Sequence, residues 1–191
     1  MTAPTPLLRV VVLVSGRGSN LKAIAARADA GELPVRIEAV VSDRADAGAL
    51  EWARARGIAT SVLSPRDFPD REVYGRALGD IVESHAPQLV VLAGFMRILS
   101  DEFVLRFSGR MLNIHPSLLP RYAGLHTHRR ALAAGDREHG ASVHFVTPEL
   151  DGGPVVLQAR VPILPGDDED SLAARVLREE QEPARRRWVG G

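Results

Sequence analysis

Short, uninterrupted apolar runs alternate along this chain with stretches in which apolar residues recur every three or four positions. Val10-Val11-Val12-Leu13-Val14 contains no polar residue, which predicts a strand buried on both faces. Helix formers over 20–30 follow, stopped by Gly31. Residues 37–41 predict a second strand, 47–56 an alanine-rich helix ended by Gly57, and 59–63 a short third strand. A long helix is predicted over 71–85, with Pro87 beyond its end, and a fully apolar fourth strand over 89–93. Residues 100–107 predict a helix with Ser100 as N-cap and Asp101 and Glu102 in its first turn, where they favour the positive end of the helix dipole. A fifth strand is predicted over 111–114.

Strands separated by helices of this length imply right-handed crossovers and a parallel sheet. The pattern then changes. After a helix near 127–134, residues 141–147 and 154–163 predict two strands joined by Pro148-Glu149-Leu150-Asp151-Gly152-Gly153. That pair is expected to be antiparallel and added to the parallel core, and 168–180 predicts a closing helix. The expected fold is therefore α/β: a Rossmann-like, mostly parallel sheet flanked by helices, with an antiparallel strand pair at the C-terminal side. The chain has 191 residues, so a single domain over 1–191 is expected.

Composition narrows the function. Basic and acidic side chains number 24 each, a balance that argues against a nucleic-acid binder, which needs a cationic surplus against phosphates. The chain lacks cysteine, which rules out disulfides, thiolate zinc sites and a cysteine nucleophile, and fits a reducing cytoplasm. No basic region precedes a long apolar run near residues 1–8, so no signal peptide is expected. The longest apolar run, 89–96, is too short to span a bilayer, so no membrane partner is expected.

In a sheet of this kind ligands bind beyond the carboxyl ends of the strands, and four places after strands carry chemistry. Ser15-Gly16-Arg17-Gly18-Ser19-Asn20 links the first strand to the first helix. Its glycines let backbone amides approach a ligand, and the helix start adds free N–H donors, a combination suited to a phosphate monoester. It is not a P-loop, and Leu21 stands where a dinucleotide fingerprint has its third glycine. The plainer alternative is a tight turn with Ser19 or Asn20 as cap. Asn113 and His115, two apart on a strand, project to one side, where an amide and an imidazole suit an oxyanion and a proton transfer. The alternative is a pair of strand-end residues bonded to loop backbone. Asp151 before Gly152-Gly153 reads as a turn residue or as a carboxylate held near His115, where it would raise the histidine pKa. Ala93-Gly94-Phe95-Met96-Arg97-Ile98-Leu99 reads as a connection packed inward or as a slot for a flat heterocycle. His126 and His128 do not share a helical face, and no ligand spacing for zinc appears. His144, between Val143 and Phe145, faces either the ligand cleft or the core. Arg185-Arg186-Arg187 reads as a solvated basic tail.

Taken in order from about residue 9 to residue 180, these segments, with Asn-Ile-His-Pro-Ser-Leu-Leu-Pro, Gly-Leu-His-Thr-His and Glu-Leu-Asp-Gly-Gly-Pro, resemble the glycinamide ribonucleotide formyltransferases. The Asn-x-His-Pro motif and the distant Asp are shared by several formyl-folate enzymes. The first loop and Met-Arg-Ile-Leu are more particular to this branch. The resemblance implies a transferase moving a formyl group from the cosubstrate 10-formyltetrahydrofolate to glycinamide ribonucleotide in purine biosynthesis, without a metal. It implies Asn113, His115 and Asp151 as catalytic residues. It implies Gly18, Ser19, Asn20 and Glu180 for the phosphoribosyl acceptor, and Arg71, Met96, Arg97, Ile98, Leu99 and Asn113 for the folate. A cytoplasmic monomer or homodimer acting on two small molecules is expected. Near the C-terminus the chain departs from the family: a His and a Tyr-Pro pair are expected after Glu180, where Gln181, Glu182 and Pro183 stand. The other readings are a formyltetrahydrofolate hydrolase or a methionyl-tRNA formyltransferase, each expected to carry a further domain, and a non-catalytic nucleotide or folate binder.

Overall fold

The computed structural model describes residues 6–181, and residues 189 and 190 in backbone alone. The basic run 185–187 lies outside the described residues. The chain divides into two compact units, Met1–Met111 and Leu112–Gly191.

The first unit is built on parallel strands: β1 (Leu8–Val14), β2 (Val35–Ser42), β3 (Ala59–Val62) and β4 (Leu89–Leu92), in the order β3-β2-β1-β4. Helices α1 (Ser19–Asp29), α2 (Gly48–Ala55), α3 (Arg71–Ser84) and α4 (Asp101–Arg106) alternate with them. Val10 to Val14 are all buried, as the unbroken apolar run predicts. Burying each such side chain stabilises the unit by roughly 1.5–3 kcal/mol. Val10, Val12 and Val14 pack with Leu21 of α1 and Ala49, Leu50 and Ala53 of α2. Two helices start on side-chain caps: the Val73 N–H donates to Asp70 Oδ1 at 2.8 Å, and the Phe103 N–H to Ser100 Oγ at 3.2 Å. The Asp70 cap makes Arg71 the first residue of α3, with its side chain exposed.

The second unit is antiparallel. Strand β5 (Met111–His115), which begins at the unit boundary, pairs with β6 (Glu138–Phe145), and β6 pairs with β7 (Val155–Pro162). Helices α5 (Thr127–Ala133) and α6 (Glu169–Gln181) complete it, with Leu172 and Val176 of α6 buried against Ala141 and Val161. Two differences from the sequence reading stand out. Strand β6 begins at Glu138, three residues before its apolar run, because buried His139 and Gly140 continue the ladder. A two-residue strand β8, Val189–Gly190, adds to β7, and it is too short to leave a pattern in the sequence. Parallel strands with crossover helices followed by antiparallel strands are the expected α/β class. Among the described residues, no helix is long and apolar enough to cross a membrane.

Candidate active site

The loop after β1 turns into α1 through Gly18, not through a polar cap. Gly18 takes φ 72°, and Ser19 and Asn20 are the first helical residues, so neither caps the helix as the plainer reading had it. Glycine is required twice over. The left-handed φ strains other residues, and a Cβ here would stand 2.6 Å from the Cβ of Ala49. Ser19 and Asn20 therefore open α1, at the end where the helix dipole is positive.

Residues 95–99 of the connection after β4 belong to neither helix nor strand. Met96 and Ile98 are 68% and 64% exposed, large apolar side chains left uncovered on one short segment. Arg71 is exposed at the start of α3, and Glu180 lies in the last turn of α6. In the first unit, a cavity of about 260 Å³ is walled by Ser15, Asp43, Gly94, Met96 and Arg97 among others.

In the second unit the polar residues converge. Asn113 and His115 project to one side of β5, as their spacing requires. Asp151 stands at φ 52° in the turn between β6 and β7, a left-handed conformation that Asp tolerates better than most residues. The turn seats tightly, because a Cβ on Gly153 would stand 1.9 Å from the Phe145 carbonyl oxygen. Asp151 Oδ2 lies 3.4 Å from His115 Nδ1, and Asp151 Oδ1 lies 3.4 Å from Asn113 Nδ2. The three side chains thus meet around one carboxylate, while the same Asp remains a turn residue.

The structure adds members to this set, among them His144, which the sequence left between cleft and core. His144 is buried, with Nε2 at 3.1 Å from Asn113 Nδ2 and 3.4 Å from Asp151 Oδ1. Its Nδ1 lies 2.9 Å from the Phe145 carbonyl oxygen, so Nδ1 carries the hydrogen. His144 faces Asn113 directly across the β5–β6 ladder, and the register of β6 against β7 shifts between Val143 and His144. Such a bulge re-aims a side chain. The Gly124 N–H donates to Asp151 Oδ2 at 2.8 Å, and His115 Nε2 lies 3.0 Å from the Tyr122 carbonyl oxygen. Tyr122 itself takes φ 57°, a strained conformation worth about 1–3 kcal/mol that recurs at functional sites. Burial by itself would raise the Asp151 pKa. The hydrogen bonds from His144 and Gly124 and the charge of His115 outweigh it and hold the carboxyl below its ordinary value.

His128 and His139 form a separate pair, with His139 Nε2 at 3.2 Å from His128 Nδ1. Burial, reinforced by His128, pushes the His139 pKa down to about 4. The unfolded chain, with an ordinary histidine pKa of about 6.5, therefore binds this proton first. Stability is unaffected above about pH 6.5 and falls as the pH drops toward 4, by about 3 kcal/mol in all. Melting temperatures measured from pH 7.5 to 4.5 should fall less steeply for His139→Gln than for the parent chain. Equal slopes would place the acid sensitivity elsewhere. Among the described residues, no group of three metal-ligating side chains occurs.

An α/β scaffold thus carries an Asn, His and Asp cluster at a strand end. The sequence model of the family described as formyl transferase matches residues 8–186, and the chain belongs to that family. It is 57% identical over 173 residues to phosphoribosylglycinamide formyltransferase of Escherichia coli (strain K12), covering 91% of this chain and 82% of that one. The structure of the phosphoribosylglycinamide formyltransferase of Coxiella burnetii matches with TM-score 0.87 and 49% identity, covering 92% of this chain and 82% of its own. Glycinamide ribonucleotide transformylase 1 of Symbiobacterium toebii matches with TM-score 0.90 and 43% identity, over 93% and 84%. Within its family the chain groups with the phosphoribosylglycinamide formyltransferases, transferases of the formyl-transfer step of purine biosynthesis.

Proposed function

We propose that the chain transfers the formyl group of 10-formyltetrahydrofolate to the primary amine of glycinamide ribonucleotide, giving formylglycinamide ribonucleotide and tetrahydrofolate. The convergence of Asn113, His115 and Asp151 on one spot carries this reading. The neutral amine attacks the formyl carbon, a C–N bond forms, and the formyl oxygen gathers negative charge. The bond to the folate nitrogen then breaks, and the proton lost by the amine goes to that nitrogen.

Both ring nitrogens of His115 face oxygen acceptors, Tyr122 O and Asp151, so two N–H groups satisfy them. The contacts of His115, Asn113 and His144 with Asp151 are all 3.4 Å, long for charge-assisted hydrogen bonds. Loose contacts of this kind tighten or redirect when substrate binds. The His115 and Asn113 N–H groups turn to the developing oxyanion, and Asp151 balances the charge and, through a water, relays the proton. General acid–base assistance of this kind supplies about 10²–10⁴-fold, and an oxyanion donor about 10²–10³-fold. Folate carries the one-carbon unit; the protein supplies position and charge.

The amides of Gly18, Ser19 and Asn20 receive the phosphoribosyl group, with Glu180 touching the acceptor. Arg71, Met96, Arg97, Ile98, Leu99 and Asn113 receive the folate. The exposed apolar surface of Met96 and Ile98 supports the second assignment, since a flat heterocycle would cover it. The family match across residues 8–186 supports one formyltransferase domain over 1–191. The enzyme acts in the cytoplasm, as a monomer or homodimer, on two small molecules and without a metal.

The decisive assay incubates the protein with 10-formyltetrahydrofolate, with and without glycinamide ribonucleotide, and follows release of tetrahydrofolate. Release that depends on the acceptor is the expected outcome. Release without the acceptor identifies a hydrolase, and no release identifies a binder.

A further inference from the structure

The segment proposed to hold the folate is irregular and exposed, yet three contacts tie it down from outside. The Ser15 N–H donates to the Gly94 carbonyl at 3.1 Å, and the Met96 N–H donates to Ser15 Oγ at 2.8 Å. The Arg97 Nε–H donates to Asp43 Oδ2 at 2.6 Å. Asp43 immediately follows β2, and the sequence pattern gave no reason to single it out.

Stability alone is a weak reason for this carboxylate. Its side chain is 1% exposed while that of Arg97 is 47% exposed, so a buried charge is paired with one that water screens. Its second oxygen, Oδ1, is buried without a protein hydrogen-bond partner among the described residues. Burying charge costs several kcal/mol, and an ion pair so incompletely satisfied recovers it poorly. What the contact does supply is position. A short charge-assisted bond at Nε holds the Arg97 side chain, next to Met96, whose N–H Ser15 holds.

Asp43 also acts on the element that carries the other folate candidate. Tyr74 lies one turn beyond Arg71 on α3, buried, with its hydroxyl likewise lacking a protein partner among the described residues. Burial, and next the negative charge of Asp43, hold its phenol above the ordinary value. The charge of Asp43 is thus felt at Tyr74 on α3, while its carboxylate bonds Arg97 on the loop.

We infer that Asp43, assisted by Ser15, is a positioning residue for the folate: it holds the 94–99 segment in its binding shape through Arg97. This rests on the reading that Met96 to Leu99 contact the folate. A held loop binds without first being ordered, so loosening it weakens folate binding and leaves the chemistry of the filled site alone.

The test is Asp43→Asn, which keeps size and removes charge. The KM for 10-formyltetrahydrofolate and the Kd for tetrahydrofolate are expected to rise about 5- to 20-fold, an ordering cost of roughly one immobilised side chain or more. The kcat at saturation and the KM for glycinamide ribonucleotide should stay within about twofold, as uniform loss of binding predicts. Arg97→Lys, which cannot offer the Nε donor, should weaken folate binding at least as much. The double variant should be no worse than the weaker single one, since both remove one contact. An unchanged folate Kd in either folded single variant, a fall in kcat without a change in KM, or additive effects in the double variant would each overturn the inference. Should Asp43→Asn not fold, Ser15→Ala, which removes the acceptor of the Met96 N–H, is expected to raise the folate Kd, and an unchanged Kd overturns the inference. Ile98→Asp separates the two levels. If it leaves folate binding intact, the folate assignment itself falls. If it weakens binding while Asp43→Asn and Arg97→Lys do not, only the positioning role falls.

Discussion

Replacing His115 by alanine is expected to lower kcat by about 10²–10⁴-fold, the range for removing a positioned proton-transfer group. The loss should persist at saturating concentrations of both substrates, because the imidazole acts on the transition state and not on ground-state binding. His115 is buried at the end of β5, with its ring between the Tyr122 carbonyl and Asp151. Truncation leaves a cavity and an unpaired carbonyl, so some stability is lost as well, about 1–3 kcal/mol for the carbonyl. Circular dichroism and a melting curve separate the two effects: a folded variant with parental kcat removes His115 from the mechanism.

Asp151→Asn is the second large effect, and the local geometry makes it a clean substitution. Asn accepts the left-handed φ of 52° as readily as Asp does. Its amide oxygen can keep the Gly124 N–H bond. Its amide nitrogen then faces His144 Nε2, an acceptor when Nδ1 serves the Phe145 carbonyl, in competition with Asn113 Nδ2. The backbone and packing therefore survive while the negative charge disappears. With it go the balance of the His115 charge and the proton relay, and kcat should fall about 10²-fold or more. Parental turnover in a folded Asp151→Asn would leave the carboxylate a turn residue and nothing more. Asp151→Ala is less informative, since Ala at positive φ adds strain of about 1 kcal/mol or more. The parent's own carboxylate, whose pKa is held below 3.8, stays ionised down to acidic pH. Its contribution to stability is present above the ordinary carboxyl range and is lost as the pH falls through the lower folded value.

Much of the fold was legible in the chain. The apolar run Val10–Val14 could only be a doubly covered strand, because any exposed face would have demanded polar residues. The cap at Ser100 acts locally, through a side chain three residues from its donor. The spacing of Asn113 and His115 placed them on one side of a strand without reference to any partner. His144 was not legible, since alternation with Val143 and Phe145 leaves two faces open. Only the β5–β6 register and the neighbouring bulge select between them. The Tyr122 carbonyl and the Gly124 amide are backbone groups and leave no mark on residue type. Asp43 looked like any acidic residue after a strand.

Properties set within a few residues, such as strand and helix periods, helix starts and the glycine turn into α1, were determined by the sequence alone. So was the family, because its motifs are contiguous and occur in order. Only the tertiary structure decided which side chains meet: Asp151 with His115 across 36 residues, His144 with Asn113 across a strand ladder, Asp43 with Arg97 across a loop. The physical reason is range. Propensity and capping act over one turn of chain, whereas an electrostatic site is made by distances of about 3 Å between groups far apart in sequence, and those distances exist only after the strands have chosen their register.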